Sequence, residues 1–210
     1  MKASAISTRY ALILGAIALI CTTILVGVFL LTRGTINDVV EKQQRSLLLE
    51  VVPQKNFDND FLATCKIIDL PEAPFLNKIY VAKKAGDLTA YAIQATAPDG
   101  YSGNIVSLIG ITPDGTILGV RVLEHQETPG LGDKIEIRIS DWITQFTGIL
   151  FNKETESSWK VKKDGGQFDQ FTGATITPRA VVNNVRQSAK WAVTKLKQHP
   201  EIINSFVNCG

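Results

Sequence analysis

Asn77–Gln126 reads NKIYVAKKAGDLTAYAIQATAPDGYSGNIVSLIGITPDGTILGVRVLEHQ, and this stretch decides the fold. Lys78–Lys83 and Leu88–Ala97 have the apolar, β-branched texture of strands, and Ala85-Gly86-Asp87 between them suits a hairpin connection. Ile105–Thr112 and Thr116–Glu124 repeat the pattern around Pro113-Asp114-Gly115, three residue types with turn chemistry. The stretch predicts about four antiparallel strands. Beyond it, Ile135, Ile139, Trp142, Ile143 and Phe146 recur at a spacing that suits short helices within Leu131–Gly148, with Ser140 placed to cap the second. Ser158–Lys162 reads as a further strand. Thr177-Pro178 then opens a long helix, with threonine as the cap and proline at the first helical position. Val182, Val185, Ala189, Ala192, Val193 and Leu196 form its buried stripe, and His199-Pro200 closes it. Strands with helices segregated around them predict an α+β domain.

Upstream, 23 residues without a charge separate Arg9 from Arg33: YALILGAIALICTTILVGVFLLT. As a helix this run is about 35 Å long, enough for a bilayer core of about 30 Å. It ends FLLTRG, without a small-x-small cleavage site, so it reads as an uncleaved anchor and not as a signal peptide. The N-terminal flank, with Lys2 and Arg9 and no acid, favours the cytoplasm. That puts the remainder on the periplasmic side of a bacterial inner membrane. Thr35–Val52 keeps mostly helical apolar spacing up to Pro53, as a continuation of the anchor or as a stalk, and Phe57–Asp60 reads as a loop or a short helix. The expected division is a tail over 1–9, an anchor over 10–32, a helical stalk and linker over 33–76, and one soluble domain over 77–210.

A net charge of +2, from 22 scattered basic and 20 acidic residues, lacks the clustered basic face that nucleic acid requires. Cys21, Cys65 and Cys209 stand far apart, and His125 and His199 are isolated from other ligand types, so no metal centre is expected. Cys21 is expected as a small buried hydrophobe. Cys65 and Cys209 are expected as free thiols, with a disulfide as the alternative if both face an oxidising compartment. His125 sits where it could contact a ligand, whereas His199 suits a helix C-terminus.

Two segments carry candidate chemistry. In LEHQETPGLGDK (Leu123–Lys134), Pro129, Gly130 and Gly132 follow a strand directly. Glycines there let a backbone approach a planar ligand and leave its amides unobstructed, though the composition also suits an ordinary strand-to-helix turn. In DGGQFDQFTGATITP (Asp164–Pro178), Thr175 stands two residues before the expected helix cap, with small Gly173 and Ala174 ahead of it. A phosphate on Thr175 would lie near the free amides and positive dipole end of that helix. The alternative is a loop whose threonines only cap the helix.

Asp169-x-x-Thr172-Gly173-Ala174-Thr175-x-Thr177 resembles the flavinylation motif of the FMN-binding domain family. Glu127-Thr128-Pro129-Gly130-Leu131-Gly132 resembles that family's loop lining the isoalloxazine ring, and Gly100-Tyr101-Ser102-Gly103 and Ser140-Asp141-Trp142 extend the likeness over most of 77–197. The resemblance implies an antiparallel-sheet FMN-binding domain with flanking helices behind a single transmembrane helix. It implies FMN joined through its phosphate to Thr175 by a flavin transferase that uses FAD. Cofactor contacts fall to Glu127, Thr128, Gly130, Leu131, Gly132, Thr172, Gly173 and Ala174. Among these, the amides of Thr128–Gly132 are the expected donors, Leu131 faces the ring, and Glu127 lowers its potential. Lys162, Lys163 or Arg179 would offset the phosphodiester charge. No catalytic residue is implied, because the redox chemistry belongs to the ring.

Within the family the wording is most similar to the G subunits of Rnf, or Rsx, complexes; the C subunits of sodium-translocating NADH:quinone reductases share the anchor and the motif. That likeness implies a subunit, without complete activity of its own, of an electron-transport complex coupled to ion translocation or to reduction of a redox-sensing regulator. Its implied partners are other membrane and iron-sulfur subunits, the flavin transferase and membrane lipid. A non-redox scaffold whose glycine loops are structural is the competing expectation.

Overall fold

The structure, a computed structural model, describes residues 2–209. Met1, Gly210 and the side chains of residues 2–9, 35, 37 and 38 lie outside that description, and with them the expectation resting on Lys2 and Arg9. The chain divides into two compact units, 1–44 and 45–210.

Helix α1 (Lys2–Val51) supplies the first unit and opens the second. In the first unit Leu12, Leu14, Leu19, Leu25, Leu30 and Leu31 are all exposed on a charge-free surface. A helix apolar on every side is stable in hydrocarbon, and among the described residues this is the one helix long and apolar enough to cross a membrane. The hydroxyls of Thr22, Thr23 and Thr32 donate to the carbonyls of Ala18, Leu19 and Val28, each at 2.8 Å. Those bonds satisfy the polar groups where lipid offers no partner. Cys21, expected buried, is exposed, because a single helix has no interior to hide it in.

The second unit is built on a six-stranded sheet in the order β5-β4-β3-β2-β1-β6. All its neighbours pair antiparallel: β1 (Lys66–Ile67), β2 (Leu76–Lys84), β3 (Asp87–Ala97), β4 (Ile105–Ile111), β5 (Ile117–Glu124) and β6 (Val207–Asn208). Strands β2–β5 are the expected ones; β1 and β6 extend the sheet beyond β2 and are additional. Alternate residues serve opposite faces. Ile79, Tyr91, Ile93, Ile109 and Ile117 face helix α2 (Ile176–Trp191), which lays Val181, Val182, Val185 and Ala189 into the main core. Tyr80, Ala82, Ala90, Ala92 and Leu108 face Leu48, Val51 and Val52 at the end of α1, together with Phe57 and Phe61. Because both faces are covered, Ala90–Ile93 is buried without interruption.

The end of α1 meets the sheet at Gly110 and Gly119, which pair across β4 and β5. A Cβ at Gly110 would stand 2.0 Å from the Val51 carbonyl oxygen, and one at Gly119 3.0 Å from that of Glu50. Backbone therefore packs on backbone, and Arg121 Nε donates to the Glu50 carboxylate at 2.7 Å beside the contact.

Several local expectations are corrected. Ser158–Lys162 is not a strand: Glu156–Ser158 and Lys162–Asp164 are 3-10 turns, and Val161 makes a single bridge to Phe168. Its strand-like alternation arises because Trp159 and Val161 are buried while Lys160 and Lys162 face solvent. The Gly165-Gly166 turn then folds the chain back before pairing can extend. The helices within Leu131–Gly148 are 3-10 segments, Asp133–Ile135 and Asp141–Phe146, and the Ser140 hydroxyl accepts from the Trp142 amide at 3.1 Å. Helix α2 stops at Trp191 and passes into a π-helical turn, Ala192–Leu196, before the 3-10 segment Pro200–Ser205.

Cys65 and Cys209 are joined in a disulfide, with Cα atoms 5.4 Å apart. Each cysteine adjoins one of the two-residue strands, and the Cys209 amide donates to the Cys65 carbonyl at 3.1 Å. The free-thiol expectation fails because β1 and β6 bring the two ends together.

Both the helix seat and the cross-link should be measurable in stability. Gly110→Ala drives a methyl into the Val51 carbonyl and should cost at least about 1–3 kcal/mol, read as a lower thermal midpoint of the full chain in detergent. The cystine closes a span of 144 residues, so Cys65→Ser should remove up to about 5 kcal/mol on the chain-entropy account. Amide exchange should quicken first at Lys66–Ile67 and Val207–Asn208.

Candidate functional site

Beyond β5 the chain turns tightly. The Thr128 carbonyl accepts from the amides of Leu131 at 3.1 Å and Gly132 at 3.0 Å, with Gly130 left-handed at φ +78° between them. The amides of Leu131 and Gly132, expected as ring donors, are thus consumed inside their own loop. His125 braces the turn: its Nδ1 accepts from the Glu127 amide at 3.1 Å, and its Nε2 lies 2.7 Å from Glu136 Oε1. An accepting Nδ1 places the proton on Nε2, which donates to Glu136. The Arg138 guanidinium, and after it His125, hold the Glu136 carboxyl below the usual carboxylate range. His125 therefore positions the loop.

Glu127 is 4% exposed, and its carboxylate is satisfied from two other segments. Oε1 accepts from the Ser102 amide at 3.0 Å, and Oε2 accepts from the Thr177 hydroxyl, itself on a residue 1% exposed. The glycines nearby serve this carboxylate. A Cβ at Gly132 would stand 2.9 Å from both Glu127 Oε2 and Thr177 Oγ1, and one at Gly100 2.9 Å from Glu127 Oε1. Gly132 makes room for an internal hydrogen bond, where the sequence suggested room for a ligand.

Asp169–Ala174 forms the facing wall. Trp142 Nε1 donates to the Asp169 carbonyl at 2.7 Å, Gln145 Oε1 accepts from the Asp169 amide at 3.1 Å, and the Trp142 ring packs edge-on to Phe171 at 5.1 Å. The Ala174 amide donates to the Phe171 carbonyl at 3.2 Å, with Gly173 left-handed at φ +81° in the turn. Thr175, half-buried, takes the N-cap position of α2 and makes no side-chain cap bond. The expected cap, Thr177, is already inside the helix; its hydroxyl goes to Glu127 instead of folding back on its own amides. Pro178 stands at the third helical position, still within the first turn, where a missing N–H costs nothing.

The two walls enclose a cavity of about 270 Å³, close to the lower end of the roughly 300–1,000 Å³ usual for small-molecule sites. Glu127, Thr128, Leu131, Gly132, Gly173, Ala174 and Thr175 line it as expected site residues, whereas Gly130 and Thr172 do not. Tyr101, Ile176 and Thr177 also line it and were not assigned from sequence. An exposed aromatic between Gly100 and Gly103 was the available signal for Tyr101. The exposed apolar side chains of Tyr101, Leu131 and Ile176 suit a planar ring, and the start of α2 suits an anion. These residues fit a flavin phosphate. Two of the three cations considered for that anion are engaged: Arg179 donates to Asp164 at 2.7 and 3.0 Å, and Lys162 pairs with Asp169.

Residues 100–190 match the FMN-binding domain family, and residues 1–51 match the RnfG N-terminal region. The chain is 54% identical over 200 residues to the G subunit of the ion-translocating oxidoreductase complex of Pasteurella multocida (strain Pm70), covering 94% of this chain and 99% of that one. It is 56% identical over 184 residues to the G subunit of the same complex in Haemophilus influenzae (strain 86-028NP), covering 88% and 89%. Among solved structures it is similar to the crystal structure of Shewanella oneidensis NqrC, at 20% identity and TM-score 0.45, over 76% of this chain and 74% of that one.

The Glu136 link gives the site an acid limit. A carboxyl whose folded pKa is depressed contributes stability above its unfolded pKa and loses it as pH falls through the folded value. Thermal midpoints of Glu136→Gln should therefore lie below wild type at neutral pH and converge with it toward the acid end of the carboxylate range.

Proposed function

The chain belongs to the family of G subunits of ion-translocating oxidoreductase complexes, and from that premise we propose that it is a membrane-anchored flavoprotein subunit holding FMN covalently on Thr175. The observation that carries the attachment site is the position of Thr175. It stands at the start of α2, with its hydroxyl outside any cap bond, and lines the same cavity as Glu127, Thr128, Leu131 and Gly132.

In the attachment step a bond forms between Thr175 Oγ and the FMN phosphorus as the pyrophosphate bond of FAD breaks. AMP leaves, and the hydroxyl proton passes to solvent. The amides of Ile176 and Thr177 at the first turn, with the dipole of α2, lower the energy of the remaining phosphodiester charge. Leu131, Tyr101 and Ile176 supply apolar contact for the ring, and Gly173 and Ala174 keep the approach to Thr175 open. When bound, the isoalloxazine supplies one- and two-electron redox chemistry, and the protein tunes it through burial and nearby charge.

The first unit anchors the subunit in a bacterial inner membrane, beside the other membrane and iron-sulfur subunits of an Rnf- or Rsx-type complex. The Cys65–Cys209 disulfide supports an oxidising, periplasmic location for the second unit, since cytosolic thiols are kept reduced. A covalent tether suits that location, where no flavin pool would replace a lost cofactor.

Co-expression with a flavin transferase should give a chain heavier by one FMN-phosphoryl group and fluorescent on a denaturing gel, and Thr175→Ala should abolish both signals. Persistence of the adduct in Thr175→Ala would refute the site. A colourless wild-type chain of bare polypeptide mass under the same conditions would favour the scaffold reading.

A further inference from the structure

Thr172, Thr175 and Thr177 present three hydroxyls within six residues, and both Thr175 and Thr177 line the cavity at the start of α2. Lining the cavity does not by itself separate these two. We infer that Glu127 is the specificity-determining and positioning residue of flavin attachment: it withholds Thr177 from modification and fixes the first turn of α2 so that Thr175 is presented. The inference rests on Thr175 being the attachment point.

Glu127 is held from three directions. Its own backbone amide donates to His125 Nδ1, Oε1 takes the Ser102 amide, and Oε2 takes the Thr177 hydroxyl. With no Cβ tolerated at Gly100 or Gly132, the enclosure is filled by these groups. A carboxylate bonded to a hydroxyl can also act as a base that activates it, but two facts decide against activation here. Thr177, although it lines the cavity, is 1% exposed and offers almost no surface to an incoming phosphorus atom. A carboxylate in contact with that oxygen would also repel an incoming pyrophosphate at a distance where screening is weakest. Thr172 is exposed but does not line the cavity. Thr175 is left as the hydroxyl both reachable and within the site. Positioning follows from the same bond, because Thr177 lies two residues beyond Thr175 and its hydroxyl ties the first turn of α2 to the loop after β5.

The test uses the full-length chain with a flavin transferase and FAD, reading rate and position of the FMN-phosphoryl group by peptide mass mapping. Wild type should carry it on Thr175 alone. Glu127→Ala should spread the modification to Thr177, and Thr175→Ala/Glu127→Ala should carry an adduct on Thr177 that Thr175→Ala lacks. A destabilised Gly110→Ala control should slow modification without moving it. Thr177→Val, which keeps the side-chain volume and removes the bond, should slow modification of Thr175 about tenfold or more, and Thr177→Ser should restore it.

The inference is overturned if folded Glu127→Ala, with its disulfide formed, is modified on Thr175 alone at the wild-type rate. Should Glu127→Ala fail to fold, equal rates in wild type, Thr177→Val and Thr177→Ser overturn it instead. A wild-type chain that takes no flavin on Thr175 defeats the proposed function itself, and is distinguishable because it fails before any variant is compared.

Discussion

A buried carboxylate must find donors, and Glu127 finds them in segments that share no local sequence. The Ser102 amide comes from the loop between β3 and β4, the Thr177 hydroxyl from the first turn of α2, and His125 secures the backbone of Glu127 from the strand exit. Removing either donor would leave a charged acceptor unsatisfied, which costs far more than an ordinary hydrogen bond gains. The cavity keeps its shape because these loops converge on that one group. Gly100 and Gly132 are the steric counterpart of the same requirement, giving the carboxylate space that any side chain would take.

The sheet supplies the rigidity this convergence needs. Its two faces are buried by different partners, α2 on one side and the closing turns of α1 on the other, so neither face is left to solvent. Helix α2 therefore has two duties. Its apolar stripe anchors it on β3 and β4, and its first turn, held at a fixed height above the sheet, forms one wall of the site. Precision at Thr175 comes from packing along the remainder of the helix, consistent with functional groups being best placed on elements held by a core.

Much of this was legible in the sequence where the signal is local. Strands β2–β5, their turns and the Ser140 cap are written in neighbouring residues, and the apolar span is visible in composition. The two halves of the site were likewise visible as glycine-rich segments. What was hidden depends on partners distant along the chain. Thr177 has the chemistry of a cap, and only the arrival of Glu127, 50 residues away, diverts its hydroxyl. Gly132 looked like a ligand approach for the same reason. Strands β1 and β6 are two residues each, too short for any alternation to show, and exist because their neighbours pair with them. Trp159 and Val161 imitate a strand since an aromatic cluster also buries every second residue.

The disulfide has a topological consequence. Because it joins Cys65 to Cys209, the backbone between them is closed into a covalent ring, and Thr175 lies within that ring. A single backbone cut anywhere from 66 to 208 opens the ring without dividing the molecule, and both resulting pieces stay bonded to α1. For cuts within 66–208, the segment bearing Thr175 leaves only after a second cut or a reduction, whereas one cut between α1 and Cys65 releases the ring whole. Where proteases act without a reductant, the cross-link keeps the Thr175 segment joined to the rest of the ring after a single cut.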